Sequence, residues 1–158
     1  QRQMCIRDRV KIKDLISRSF DLVKISSKNK LILKDKTDNE KIKVDEEQLN
    51  RVFINLIKNS EESLTEKAQK VANFNGKIEI EITNNNHYIV IKISDNGIGI
   101  SDIKKAMNPY FTTKPKGTGL GLPIINKIIN EHSGELVITN NEGMDGVKIE
   151  ISLPRNNE

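Results

Sequence analysis

The chain has 158 residues and a mass of 17.9 kDa, which suits one well-buried core and leaves too little for two domains. With 35% hydrophobic and 30% charged residues, it reads as a soluble globular chain and not as a disordered or fibrous one. The net charge of +4 comes from 26 basic residues interleaved with 22 acidic ones, and only four Phe and two Tyr are available for stacking, so a nucleic-acid-binding face is not expected.

The N-terminal segment QMCIRDR fits neither helical nor strand periodicity. It reverse-translates to the end of a transposon used in preparing sequencing libraries, so residues 1–9 are expected to be a non-native scar and the domain to occupy residues 10–158. On that reading the natural chain continues upstream of this fragment. Cys5, the sole cysteine, falls inside the scar, which removes disulfides and thiol catalysis from consideration.

From Val10 to Ser26, apolar residues recur three or four apart and predict an amphipathic helix packed on a sheet. Lys30–Lys36 and Lys41–Val44 read as a short hairpin across the polar turn Thr37–Glu40. Asp45 is a predicted N-cap, with Glu46 and Glu47 placed against the positive end of the helix dipole. The helix that follows, about Glu46 to Lys70, carries a core stripe of Leu49, Val52, Phe53, Leu56 and Ile57. Asn55 and Asn59 lie one turn apart on its edge, while Lys58 faces solvent. Two amides on a core edge need partners, either neighbouring backbone or a ligand.

Lys77–Thr83 and His87–Ser94 alternate about the turn Asn84–Asn86, predicting a hairpin that delivers Asp95 at a strand end. Ser101 can cap a short helix to about Ala106, and Met107–Thr118, with Pro109 and Pro115, reads as a mobile loop. A helix from about Gly121 tolerates Pro123 in its first turn and is expected to turn Ile124, Ile125, Ile128 and Ile129 inward before ending near Gly134. Glu135–Asn140 and Val147–Leu153 are the closing strands. No apolar run approaches the roughly 18 residues needed to cross a bilayer, so no direct membrane contact is expected.

Two glycine-bearing segments, DNGIGI at Asp95–Ile100 and KGTGLGL at Lys116–Leu122, flank the stretch NPYFTTK. Glycines let backbone N–H groups approach phosphates, and an acid ahead of a glycine turn can read the amino edge of a base. Each segment alone would be an ordinary turn, and Asp95 alone a turn-forming residue before Asn-Gly. Taken with the asparagine pair upstream, they predict one nucleotide pocket. The Walker pattern GxxxxGK[ST] is absent.

The four segments RVFINLIKNSEES, DNGIGI, NPYFTTK and KGTGLGLPI, in this order, resemble the ATP-binding catalytic domain of sensor histidine kinases, within the GHKL group that also holds gyrase, MutL and the large heat-shock chaperones. The wording is nearest to nitrogen-regulation-type kinases, and the resemblance covers about Val10 to Pro154. It implies an α/β sandwich in which a mixed, mainly antiparallel sheet is covered on one face by helices. It further implies that ATP and Mg²⁺ are bound. Asp95 would accept a hydrogen bond from the adenine amine, with Gly97 and Gly99 beneath the base. Asn59 would contact the metal.

At Asn55, the family's ATP-hydrolysing members carry a glutamate that prepares water. An amide cannot accept that proton, so a general-base contribution of about 10²–10⁴-fold is missing and transfer is favoured over hydrolysis. Glu62 is read as a solvated surface acid. Phe111 would anchor a lid, with Thr112, Thr113, Lys114 and Lys116 reaching phosphate oxygens, Lys114 in a catalytic role. Gly117, Thr118, Gly119, Leu120 and Gly121 would hold the phosphates with backbone amides.

The expected activity is protein-histidine kinase. The γ-phosphoryl of MgATP would pass to a histidine on a dimerisation domain of the same or a partner chain, and from there to a response regulator. Neither His87 nor His132 lies in a phosphoacceptor-like segment. The expected location is the cytoplasm, whether or not the longer protein is anchored in the inner membrane. A conformational ATPase of the gyrase or MutL kind, an anti-sigma serine kinase, and a nucleotide-sensing module without phosphotransfer are the competing readings.

Overall fold

The computed structural model describes residues 7–100, 121–140 and 146–155. The expected short helix after Ser101, the loop Met107–Thr118 and most of the second glycine segment lie outside the described residues. In chain order the elements are β1 (Asp8–Lys11), α1 (Ile12–Lys24), β2 (Lys30–Asp35), β3 (Lys41–Val44), α2 (Glu46–Lys70), β4 (Lys77–Asn84), β5 (Tyr88–Asp95), α3 (Gly121–Glu131), β6 (Glu135–Asn140) and β7 (Val147–Pro154).

Five strands form one mixed sheet in the order β2-β4-β5-β7-β6, parallel only between β2 and β4. Period-2 alternation puts Ile78, Ile80 and Ile82 of β4, Ile89, Ile91 and Ile93 of β5, and Ile149, Ile151 and Leu153 of β7 on one buried face. The register aligns them across strands. Ile80 stands opposite Ile93, Ile93 opposite Ile149, and Ile149 opposite Ile138. The other face is polar, with Lys34 of β2 and Lys36 just after it paired to Glu79 and Glu81 of β4 at 3.2 and 2.7 Å. One face is therefore core and the other solvated, as antiparallel sheets allow.

Helix α2 supplies most of the other core layer, burying Leu49, Val52, Phe53, Leu56, Ile57 and Leu64. It starts where the sequence predicts, since the Asp45 side chain accepts a hydrogen bond from Gln48 N at 3.1 Å. α1 packs mainly along α2, burying Leu15, Ile16 and Phe20.

Three expectations are corrected. The N-terminal helix begins at Ile12 and not Val10, because Asp8–Lys11 pairs antiparallel with β3 as a separate two-stranded sheet. β2 and β3 do not form a hairpin: β2 pairs in parallel with β4 and β3 with β1, so the turn at Asp38 and Asn39, both at positive φ, joins two different sheets. In α3, Ile125, Ile128 and Ile129 are buried while Ile124 is 39% exposed. The inward stripe runs on at a spacing of three from Ile129 to His132, which is buried.

His132 ties the helices together. Its Nδ1 donates to Ile128 O at 2.9 Å, and its Nε2 accepts the backbone N–H of Asp45 at 3.0 Å. This requires the neutral imidazole protonated on Nδ1. Burial holds its pKa below the usual histidine value.

Candidate nucleotide site

Strand parity decides the surroundings of Asp95. It continues the series Ile89, Ile91, Ile93 on β5 and so projects from the core face at the strand's end, 6% exposed. Its Oδ1 accepts the Gly97 N–H at 2.9 Å and the Val147 N–H at 3.4 Å. Burial raises its pKa above the usual aspartate value, opposed by those backbone donors, by the Ser60 hydroxyl and by the charge of Lys67. A carboxylate placed on an apolar face carries a desolvation penalty that a ligand's hydrogen-bond donor can offset.

The turn after Asp95 is held from three sides. Asn140, at the end of β6, clasps Ile100 through both backbone groups, its Oδ1 accepting from Ile100 N and its Nδ2 donating to Ile100 O, each at 3.0 Å. Gly99, just before Ile100, has φ +80°, a conformation that disfavours side chains. Gly146, at φ +111°, lets the start of β7 pass so close that a Cβ there would overlap the Asp95 carbonyl. From α2, Ser63 and Lys67 reach the same turn through Ile98 N and Asn96 O.

Asn55 and Asn59 are both half-buried on the edge of α2, and Lys58 is exposed, as the helical spacing predicts. Asn59 faces the first residue of α3: a Cβ built on Gly121 would lie 3.8 Å from its Nδ2. Ser60, the next residue of α2, interacts with Asp95. Helix α2 thus sets Asn59 beside Gly121 at the start of α3, and Ser60 and Ser63 beside Asp95 and Gly97 of the glycine turn. Glu62 is exposed. Phe111, Thr112, Thr113, Lys114, Lys116, Gly117, Thr118, Gly119 and Leu120 lie outside the described residues.

Among the described residues no group of three His, Cys, Asp or Glu side chains gathers as a metal centre. A divalent ion here would draw its ligands from phosphate oxygens, water and an amide, a donor set that suits Mg²⁺. No described helix is long and apolar enough to cross a membrane. The sequence reading missed Ser60, Ser63, Lys67, Asn140 and Gly146. Ser63 and Lys67 could have been found, because they extend the four-residue spacing of Asn55 and Asn59.

Comparison with known proteins agrees with this geometry. Residues 44–157 match the family described as histidine kinase-, DNA gyrase B- and HSP90-like ATPase. Sporulation kinase C of Bacillus subtilis (strain 168) is 38% identical over 120 residues, covering 75% of this chain and 26% of that protein. A putative sensor histidine kinase, NtrY-like, of Rickettsia conorii is 41% identical over 111 residues, covering 69% of this chain and 17% of that protein. The aligned part of the chain therefore spans about a quarter of the first relative and about a sixth of the second.

Among solved structures, the catalytic domain of histidine kinase ThkA in a nucleotide-free form superposes with a TM-score of 0.79 at 26% identity, covering 94% of this chain and 97% of that one. The mycobacterial sensor histidine kinase MprB gives the same TM-score at 21% identity, over 94% and 97% of the two chains, and supports the fold alone. The chain belongs to the histidine kinase-, DNA gyrase B- and HSP90-like ATPase family, and its fold is that of histidine kinase catalytic domains.

Proposed function

We propose that this chain is the ATP-binding catalytic module of a two-component sensor histidine kinase, residues 10–158 forming the domain, and that it delivers the γ-phosphoryl of MgATP to a histidine on a separate dimerisation domain. The observation that carries this reading is the buried Asp95 carboxylate at the end of an otherwise apolar strand face, next to an amide-bearing helix edge. Asp95 would accept the adenine amine, with Gly97 and Gly99 allowing the base to lie against the backbone. Asn59 would hold Mg²⁺ through its amide oxygen, and the ion would neutralise charge on the phosphates. Asn55, an amide where a hydrolytic relative needs a carboxylate, would orient the triphosphate without activating water.

Phosphoryl transfer of this kind needs positioning and charge neutralisation more than a base. A neutral imidazole acceptor supplies its own lone pair, which fits a site lacking a general base. Lys114, Lys116, Thr112 and Thr113 would close on the phosphates, Phe111 would anchor the closed segment, and Gly117–Gly121 with Thr118 and Leu120 would donate backbone N–H groups. The phosphohistidine would then pass its phosphoryl to a response regulator, with the whole reaction cytoplasmic.

The test mixes this domain with a histidine-bearing helical dimerisation domain and γ-labelled ATP. Acid-labile, base-stable label on the helical domain is expected, lost when Asn55 is replaced by Ala. Steady phosphate release without any acceptor, at the same rate as with it, would instead favour a conformational ATPase.

A further inference from the structure

Asn55, Asn59, Ser63 and Lys67 stand four residues apart on α2. Each such step turns only about 40° around the helix, so the four side chains share one drifting edge. The first two are the amides discussed above; the last two reach the backbone of the glycine turn. Ser63 Oγ accepts the Ile98 N–H at 2.9 Å. Lys67 Nζ donates to the Asn96 carbonyl at 2.9 Å and lies 5.0 Å above the Phe74 ring.

The Asn96 side chain is committed to the base of the sheet, accepting from Lys77 N at 2.8 Å and donating to Asn75 O at 3.0 Å. Gly97 lies between the two fastened positions, and a Cβ there would be driven into the Ser63 hydroxyl. Backbone on both sides of Gly97 is thus bonded to one helix, the helix that carries Asn55 and Asn59.

We propose that Ser63 and Lys67 are positioning residues, which fasten the Asp95–Ile98 backbone to α2 and so set the Asp95 carboxylate at a fixed offset from the amide pair. The inference rests on the nucleotide reading above. It adds that base recognition and phosphate binding are held in register by one helix edge. Because Ile98 is partly exposed, its N–H can turn to water when Ser63 is truncated. The loss is then that of one ordinary hydrogen bond, about three- to tenfold in nucleotide affinity.

The experiment titrates the chain and its Ser63→Ala and Ser63→Thr variants with MgADP and, separately, with magnesium tripolyphosphate, which has no base. Backbone amide exchange at Ile98 is followed in the ligand-free protein. Ser63→Ala is expected to weaken MgADP about three- to tenfold, leave tripolyphosphate unchanged and accelerate exchange at Ile98, and Ser63→Thr to restore all three. Unchanged MgADP affinity, or an equal loss for both ligands, overturns the proposal. Asp95→Asn serves as the control: if it weakens MgADP while Ser63→Ala does not, only this inference fails, and if neither does, the nucleotide reading fails with it.

Discussion

Replacing Asp95 by Asn should move ligand binding and folding in opposite directions. The carboxylate is 6% exposed on the apolar face of β5, and its pKa is raised chiefly by burial, so its ionised form is held in the fold at a cost. A group whose pKa is raised on folding stabilises the protein most when protonated, and that contribution disappears as pH rises through the folded value. At neutral pH the charge therefore weakens the fold. Asp95→Asn removes it while keeping an oxygen able to accept from Gly97 N and Val147 N, now at 2.9 and 3.4 Å from Oδ1. The melting temperature should stay the same or rise.

Nucleotide affinity should fall. A hydrogen bond to a charged group contributes about 1.5–3 kcal/mol, so MgATP binding by calorimetry at pH 7 should weaken about ten- to a hundredfold. In the unsubstituted protein the affinity should also decline as acid protonates Asp95, a trend the variant lacks. Equal affinity in the two proteins would refute the assignment of Asp95 to the base. A melting temperature several degrees lower would refute the argument that the charge is carried against stability.

His132 should give the fold an acid-sensitive step. Its pKa is lowered by burial, so the stability it contributes is complete above the unfolded value near 6.5 and is lost as pH falls from there towards the folded value. Denaturant melts between pH 7 and 5 should show this loss, and His132→Gln, which keeps an acceptor for Asp45 N without titrating, should flatten it; identical slopes would reject the idea. Gly134 is packed so tightly that a Cβ would enter the Ser152 carbonyl, 3.0 Å from Leu153 Cδ2 and 3.1 Å from Ile129 Cγ2. Gly134→Ala should destabilise by about 1–3 kcal/mol in urea unfolding, and a change within experimental error would mean that the α3–β6 junction yields freely.

Much of the fold was legible because its signals are local. Asp45 capping, the α2 stripe and the alternation of β4 and β5 each depend on residues a few positions apart, and each element falls within a residue or two of its expected bounds. The β2 and β3 pairing was not legible, since alternation says which face of a strand is apolar but not which strand lies beside it. The turn residues Asp38 and Asn39 imitate a hairpin signal, yet β2 finds its partner beyond α2. Of the proposed site, Asp95, Asn59, Gly97 and Gly99 were singled out in the sequence by residue type, by spacing and by the resemblance. Ser63 and Lys67 were not, because serine and lysine late in a helix normally face water. His132 belonged to the spacing of Ile125, Ile128 and Ile129, but its bond to Asp45 spans 87 residues and has no local signal.

The parity that aims Asp95 inward has a consequence for how this domain can vary. Adding or deleting one residue within Tyr88–Asp95 would rotate the rest of that strand by half a pleat, presenting Ser94 to the interior and sending the carboxylate towards bulk water. The bend at Asn85–His87 is free of this restriction, because length changes there leave the later alternation intact. An insertion library across the hairpin should therefore return nucleotide-binding clones with altered bends and few with an altered strand.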